Sequence, residues 1–186
     1  MILPREEALG LLRKYVKNEK MIAHSLASEA VLAALADHLG RNREAWAQAG
    51  LLHDLDVEAT NADAYTHGPE GARWLAKMGV DADIVDAIAM HNEVASGKER
   101  TTEFQHALAA GETITGLIMA TALVYPDKKI ASVKTKSVTK RMKEKAFAAS
   151  VKRENIMECE QIGIPLDAFA TIAIAAMCGI ADEIGL

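Results

Sequence analysis

Apolar residues recur at three- and four-residue intervals along most of the chain, and no stretch alternates in a way that argues for a strand. Pro4, with Glu6 and Glu7 just after it, marks the start of a helix over about 4–17. A second helix covers about 20–39 and stops at Gly40, and Asn42 caps a third over about 43–54. The polar stretch "DVEATNADAYT" then reads as a loop. Two shorter helices follow, about 68–78 and 82–91, parted by Gly79. A second polar loop, "NEVASGKERTTE", leads into a long apolar helix over about 104–124, ended by Tyr125-Pro126. The next segment is basic and holds one or two short helices. The final helix, about 165–184, opens on Pro165 and is apolar enough to predict burial. The pattern predicts an all-α protein forming a single domain over 1–186. Its core spans about 20–126, with a basic lobe at 127–155 and a C-terminal packing helix within 160–186.

Composition agrees with helix packing. Half of the residues are hydrophobic but only 4% are aromatic, so Ala, Leu, Ile and Met supply the apolar surface. Cys159 and Cys178 form no CxxC and read as thiols in a reducing compartment. The opening "MILPREEALG" lacks a signal-peptide pattern, and the apolar parts of Phe104 to Pro126 are too short to span a bilayer. These features predict a cytoplasmic protein without a membrane partner. Charge changes the picture more. Residues 128–153 hold ten Lys/Arg against one acid, Glu144, so this segment carries +9 and the rest −14 of the net −5.

Several titratable residues interrupt apolar segments. His24 shares the inward face of its helix with Val31 and Leu35 and, taken alone, reads as a core histidine satisfied by one hydrogen bond. His53 and Asp54 close the apolar run "AGLLHDL". Neighbours on a helix point about 100° apart, so both reach one ion only near a helix end. Asp54 alone could equally cap a turn or form a surface ion pair. Glu112 is the only charged residue between Glu103 and Asp127. A bare carboxylate on such a helix needs a cation, a donor or a proton. His67 and His91 lie at helix ends beside polar loops, where ligands are often presented and where exposed histidines are also common. His38 and His106 carry no such signal.

The order His24, then His53-Asp54, then a late acid resembles the HD superfamily of metal-dependent phosphohydrolases, whose pattern is H…HD…D. The apolar lead-in to the doublet fits. The stretches "HALAAGETITGLIMATALV" and "KIASVKTKSVTKRMKEKAFAASVKRE" resemble a subgroup of small bacterial HD proteins described as predicted hydrolases. The likeness covers about residues 20–155. It implies an HD-domain helical bundle in which His24, His53, Asp54 and Glu112 hold one metal. Asp54 would bridge to a second metal completed by His67 and His91, as in the family's binuclear branch. One position departs from the pattern. The family's last ligand is an aspartate, usually in an "AD" pair, and here "AGETITGL" offers the longer Glu112, able to ligate through one oxygen, from a shifted position or through water.

Imidazole and carboxylate together suit one or two divalent transition-metal ions: Mn, Fe, Co, Ni or Zn. Such a centre makes a nucleophile of water near neutral pH, with Asp54 and His53 the catalytic pair. The expected activity is hydrolysis of a small phosphorylated molecule, a phosphomonoester or nucleotide. Lys134, Lys136, Ser137 and Lys140 have spacings that can place several on one helical face, and they are the candidates for binding substrate phosphate; the same spacing also suits a solvated surface helix. With Phe147 as its one aromatic and no reading motif, the basic segment argues against a nucleic-acid partner. The rival readings are a di-iron oxygenase of the same fold and a non-catalytic HD domain that binds a nucleotide. The apolar C-terminal helix could serve the core or a homodimer interface.

Overall fold

A computed structural model describes residues 1–186 and is all-α, without strands. The helices run α1 Arg5–Tyr15, α2 Glu19–Leu39, α3 Arg43–Leu52, α4 Pro69–Lys77, α5 Ala82–Met90, α6 Glu93–Ser96, α7 Glu103–Leu123, α8 Thr135–Arg141, α9 Arg153–Met157, α10 Leu166–Cys178 and α11 Ala181–Ile184. Local chemistry sets the ends. The Asn18 side chain accepts from the Lys20 and Met21 amides to start α2, and Gly40 ends it in the left-handed region at φ 65. Asn42 caps α3 by accepting from the Ala45 amide at 3.0 Å. Thr102 and Gln105 form a reciprocal capping box at the start of α7.

Helices α2, α3 and α7 make the centre, and small residues let them approach. At Gly50 of α3 a Cβ would lie 2.5 Å from the Ser28 carbonyl oxygen of α2, and at Gly111 of α7 it would lie 2.5 Å from a Leu32 methyl. One apolar cluster of 42 buried residues runs from Leu3 to Ile184. Helix α7 is long and apolar enough to cross a membrane by length and composition, but 61% of its apolar window is buried inside the protein. Its apolarity is that of a core helix.

The structure alters two expectations. The final helix is not continuous: it breaks near Gly179, and α11 follows at an angle set by Ile180. Nor is it buried all round, because it lies at the edge of the bundle and buries only the face carrying Phe169, Ala170, Ala173, Ile174 and Met177. Two further short helices, α6 and α9, occupy stretches whose polar sequence gives no helical period. Each is no more than five residues long and is held by its neighbours.

Candidate metal centre

The centre lies where α2, the end of α3, the 53–68 turns, the end of α5 and the middle of α7 meet. His53 is the C-cap of α3, at φ −60 and ψ −34, so the chain is still helical as it leaves the core. His53 points back under α2, and Asp54, the next residue, turns toward α5. His91 is likewise the C-cap of α5. All six residues singled out in the sequence are brought together. His24, His53 and Glu112 form one group with mutually close ligand atoms, and Asp54, His67 and His91 form another. Asp54 joins them. Its Oδ2 lies 3.5 Å from His24 Nε2, while its Oδ1 lies 3.4 Å from His53, 2.9 Å from His67 and 3.5 Å from His91. Glu112 Oε2 is 3.6 Å from His24 Nε2.

The four imidazoles are oriented from behind. His53 Nδ1 donates to the Gly50 carbonyl at 2.8 Å and His91 Nδ1 to the Ile88 carbonyl at 2.6 Å, since a carbonyl can only accept. Thr115 Oγ1 gives its proton to the Glu112 carbonyl, so it accepts from His24 Nδ1 at 2.9 Å. His67 Nδ1 donates to Asp56 Oδ1 at 2.7 Å. Every Nδ1 therefore carries a proton, and every Nε2 faces Asp54. Two of these nitrogens are only 3.1 Å apart, His24 to His53, and two are 3.3 Å apart, His67 to His91. Facing lone pairs repel, so each couple requires a proton or a cation between its members. Imidazole nitrogen with carboxylate oxygen is a donor set for divalent transition metals, and the arrangement fits one or two such ions.

Proton affinities among the protein groups follow from the same geometry. Burial works against a charged His53, but Asp54 and Glu112 outweigh it and hold its pKa up at about 9. For His67, burial is likewise overcome by Asp54 and Asp56, which lift it to about 10. His24 is pushed down, by burial first and by His53 next. Asp54 is itself buried, yet the surrounding imidazoles keep its carboxyl well below the usual carboxylate range.

Residues that sequence reasoning missed complete the frame. Asp56 is fully buried and accepts from His67, from the Gly68 amide at 2.8 Å and from the Gly71 amide at 2.7 Å. The signal for it was the second acid of "HDLD", two residues after the doublet. Gly71 has no room for a side chain, because a Cβ would stand 3.2 Å from Asp56 Cγ. Gly68 has φ +98, and a Cβ there would meet His91 Cε1 at 3.0 Å. The Asn92 amide donates to the Ala64 and His67 carbonyls, fixing the loop that presents His67. No local pattern signals Asn92.

The residues expected to bind phosphate stand apart from the ligand residues. None of Lys134, Lys136, Ser137 or Lys140 lines the cleft of about 360 Å³ that opens onto the metal centre. Ser137 Oγ is bonded to the Tyr125 hydroxyl at 2.7 Å. Tyr125 lies just past Leu123, the end of α7, which is roughly 16 Å along the helix axis from Glu112. Lys134 and Lys136 are exposed, and Lys140 extends toward Glu144 at 3.9 Å. The basic segment reaches the cleft only at its far end, through Ser150, Val151 and Lys152.

An all-α frame that turns four histidines and two carboxylates onto one point defines a metal-binding helical domain. A family model for the HD domain matches residues 21–123, more than half of the chain, and the protein belongs to that family. HD domains bind divalent metals, and the superfamily is typically hydrolytic. Among curated proteins, the chain is 31% identical over 98 residues to Ribonuclease Y 2 of Levilactobacillus brevis, covering 53% of this chain and 18% of that protein. It is 30% identical over 77 residues to Ribonuclease Y of Fusobacterium nucleatum subsp. nucleatum, covering 41% of this chain and 15% of that one. The chain thus spans less than a fifth of the length of these relatives. No solved structure matches.

Proposed function

We propose that the protein is a metal-dependent phosphohydrolase that cleaves a small phosphorylated substrate, a phosphomonoester or nucleotide. The observation that carries this reading is the pair of three-residue ligand groups joined through Asp54. His24, His53 and Glu112 would hold one divalent ion, His67 and His91 the other, and Asp54 would contact both. Such ions supply a water ionised near neutral pH and a counter-charge for the phosphoryl oxygens. The protein's own part is orientation: the Nδ1 contacts fix each imidazole so that no rotamer or tautomer change precedes ion binding. Asp54 and His53 are the residues on which the reaction depends most, because both lie at the junction of the two groups.

The relatives named as ribonucleases favour a second reading, in which the phosphoryl group belongs to RNA. The cleft argues for the smaller substrate. Its lining offers no exposed aromatic platform for a base and a single lysine. The test is hydrolysis of p-nitrophenyl phosphate, mononucleotides and a single-stranded RNA oligomer by protein loaded with Mn, Fe, Co, Ni or Zn. Monoester or mononucleotide cleavage lost in Asp54→Ala and His53→Ala, with helicity retained, is expected. Full activity in Asp54→Ala refutes the site assignment, and cleavage of RNA alone would establish the second reading.

A further inference from the structure

We propose that Lys152, with Ser150 beside it, is the subsite that receives the substrate's phosphate in the cleft onto which the metal centre opens; this rests on the hydrolase reading above. Lys152 is the only lysine or arginine lining the cleft, and it is exposed and in no ion pair, so its ammonium is free for an anion. The same cleft is lined by Asp54, Glu112, His67 and His91. An anion in this cleft would be within reach both of ions held at the histidines and of the Lys152 ammonium.

The wall that carries Lys152 is fixed by three separate anchors rather than left as a surface loop. First, the Arg153 guanidinium donates to the carbonyls of Ala148 at 2.7 Å and Val151 at 3.0 Å, and also to those of Arg141, Glu144 and Phe147. One side chain thus gathers the whole 141–151 stretch. Second, Val151 seats against α7 at Gly116, where a Cβ would stand 3.3 Å from its methyl group. Gly116 is one turn beyond Glu112, so this contact places the wall beside the metal centre. Third, buried Asn155 accepts from Arg100 at 3.1 Å, and Arg100 donates to the carbonyl of the ligand residue His91 at 3.2 Å. The lysine wall and the second ligand group are therefore held by a common frame.

The cleft's lining narrows the substrate class. Lys152 is its single cation, which suits a single terminal phosphate on a small molecule.

The experiment is calorimetric titration of metal-loaded protein with inorganic phosphate, alongside steady-state hydrolysis of p-nitrophenyl phosphate. The proteins are wild type, Lys152→Ala, Lys152→Arg and the control Lys136→Ala. Loss of one charge-assisted contact should weaken phosphate binding by about 10- to 100-fold in Lys152→Ala. KM should rise by a similar factor, metal content and helicity should stay at the wild-type level, Lys152→Arg should recover most of the loss, and Lys136→Ala should match wild type. Wild-type phosphate affinity in Lys152→Ala overturns the proposal, as does an equal loss in Lys136→Ala or no phosphate binding by the wild type. Lys152-dependent phosphate binding without hydrolysis of any ester would leave the subsite standing and sink the hydrolase reading. Hydrolysis with Lys152-independent phosphate binding would do the reverse.

Discussion

Asp56 offers the sharpest test of how this centre is built, because it touches no ligand atom that faces an ion. Its carboxylate takes the Nδ1 proton of His67 and the amide protons of Gly68 and Gly71, all within 2.8 Å, and it is fully buried. Removing the side chain in Asp56→Ala would leave two buried amides and an imidazole unpaired. Two such amides at about 1–3 kcal/mol each give about 2–6 kcal/mol, a large share of the about 5–15 kcal/mol that holds a domain folded. Asp56→Asn separates orientation from folding. The amide keeps the shape and can still accept from a glycine amide, but its NH2 presents protons to His67 Nδ1. That favours the tautomer protonated at Nε2, which cannot ligate. Loss of a partner behind a ligand typically costs about 10- to 100-fold in metal affinity. The assay is metal titration of Asp56→Asn beside His67→Ala, with urea unfolding of each. Asp56→Asn should lose most of the affinity of the Asp54–His67–His91 group and little of the other. Wild-type affinity at both groups in Asp56→Asn would refute the tautomer argument. Acid should act in the same direction. Burial disfavours the Asp56 charge, but His67 and the two amides prevail and lower its pKa. This carboxylate therefore stabilises the fold above the unfolded value of about 3.9, and that contribution is lost as pH falls through its lower folded pKa.

Three further outcomes follow from the same geometry. His53 and His67, held up at about 9 and about 10, are protonated at pH 7 after chelation, so metal uptake should release protons and tighten as pH rises toward that range. Titrations in buffers of different ionisation enthalpy read this directly, and an observed heat independent of buffer would contradict it. For stability the sign is the usual one for a raised pKa: the histidine contribution in chelated protein is complete below about 6.5 and is lost as pH rises through 9 to 10. Gly50→Ala should abolish folding or lower Tm sharply, since its Cβ would fall 2.5 Å from the Ser28 carbonyl oxygen and 2.7 Å from its carbon, backbone atoms that cannot swing aside. A Gly50→Ala protein melting within a few degrees of wild type would count against the close approach of α2 and α3. Arg100→Met should cost about 1–3 kcal/mol in urea unfolding, because it leaves Glu158 with His106 as its one remaining partner and frees the carbonyls of Met90 and His91. A change under about 1 kcal/mol would show the network to be dispensable.

Much of the architecture was legible in the sequence. Periodicity placed α2, α3 and α7, and Gly40 and Asn42 act through contacts of three or four residues, which a linear pattern records. The six ligand residues stood out because titratable side chains interrupt apolar faces, where an unpaired charge is costly. The resemblance added their order and pairing. What the sequence could not place was anything decided by contacts between distant segments. Asp56 matters because Gly68 and Gly71, more than ten residues away, turn their amides onto it. Lys152 rather than Lys134, Lys136 or Lys140 reaches the cleft because Arg153 and Gly116 set where the 141–151 stretch lies against α7. Spacing reports which lysines share a helical face, but not toward what that face is turned. The C-terminal helix carries the same lesson: composition measured its apolarity, while its place at the edge of the bundle decided that only one side would be buried. The sequence alone determined the helices and the chemistry they carry; the packing of α2, α3, α5 and α7 determined which of those groups meet, because convergence on one point is a property of several chain segments and is written in none of them singly.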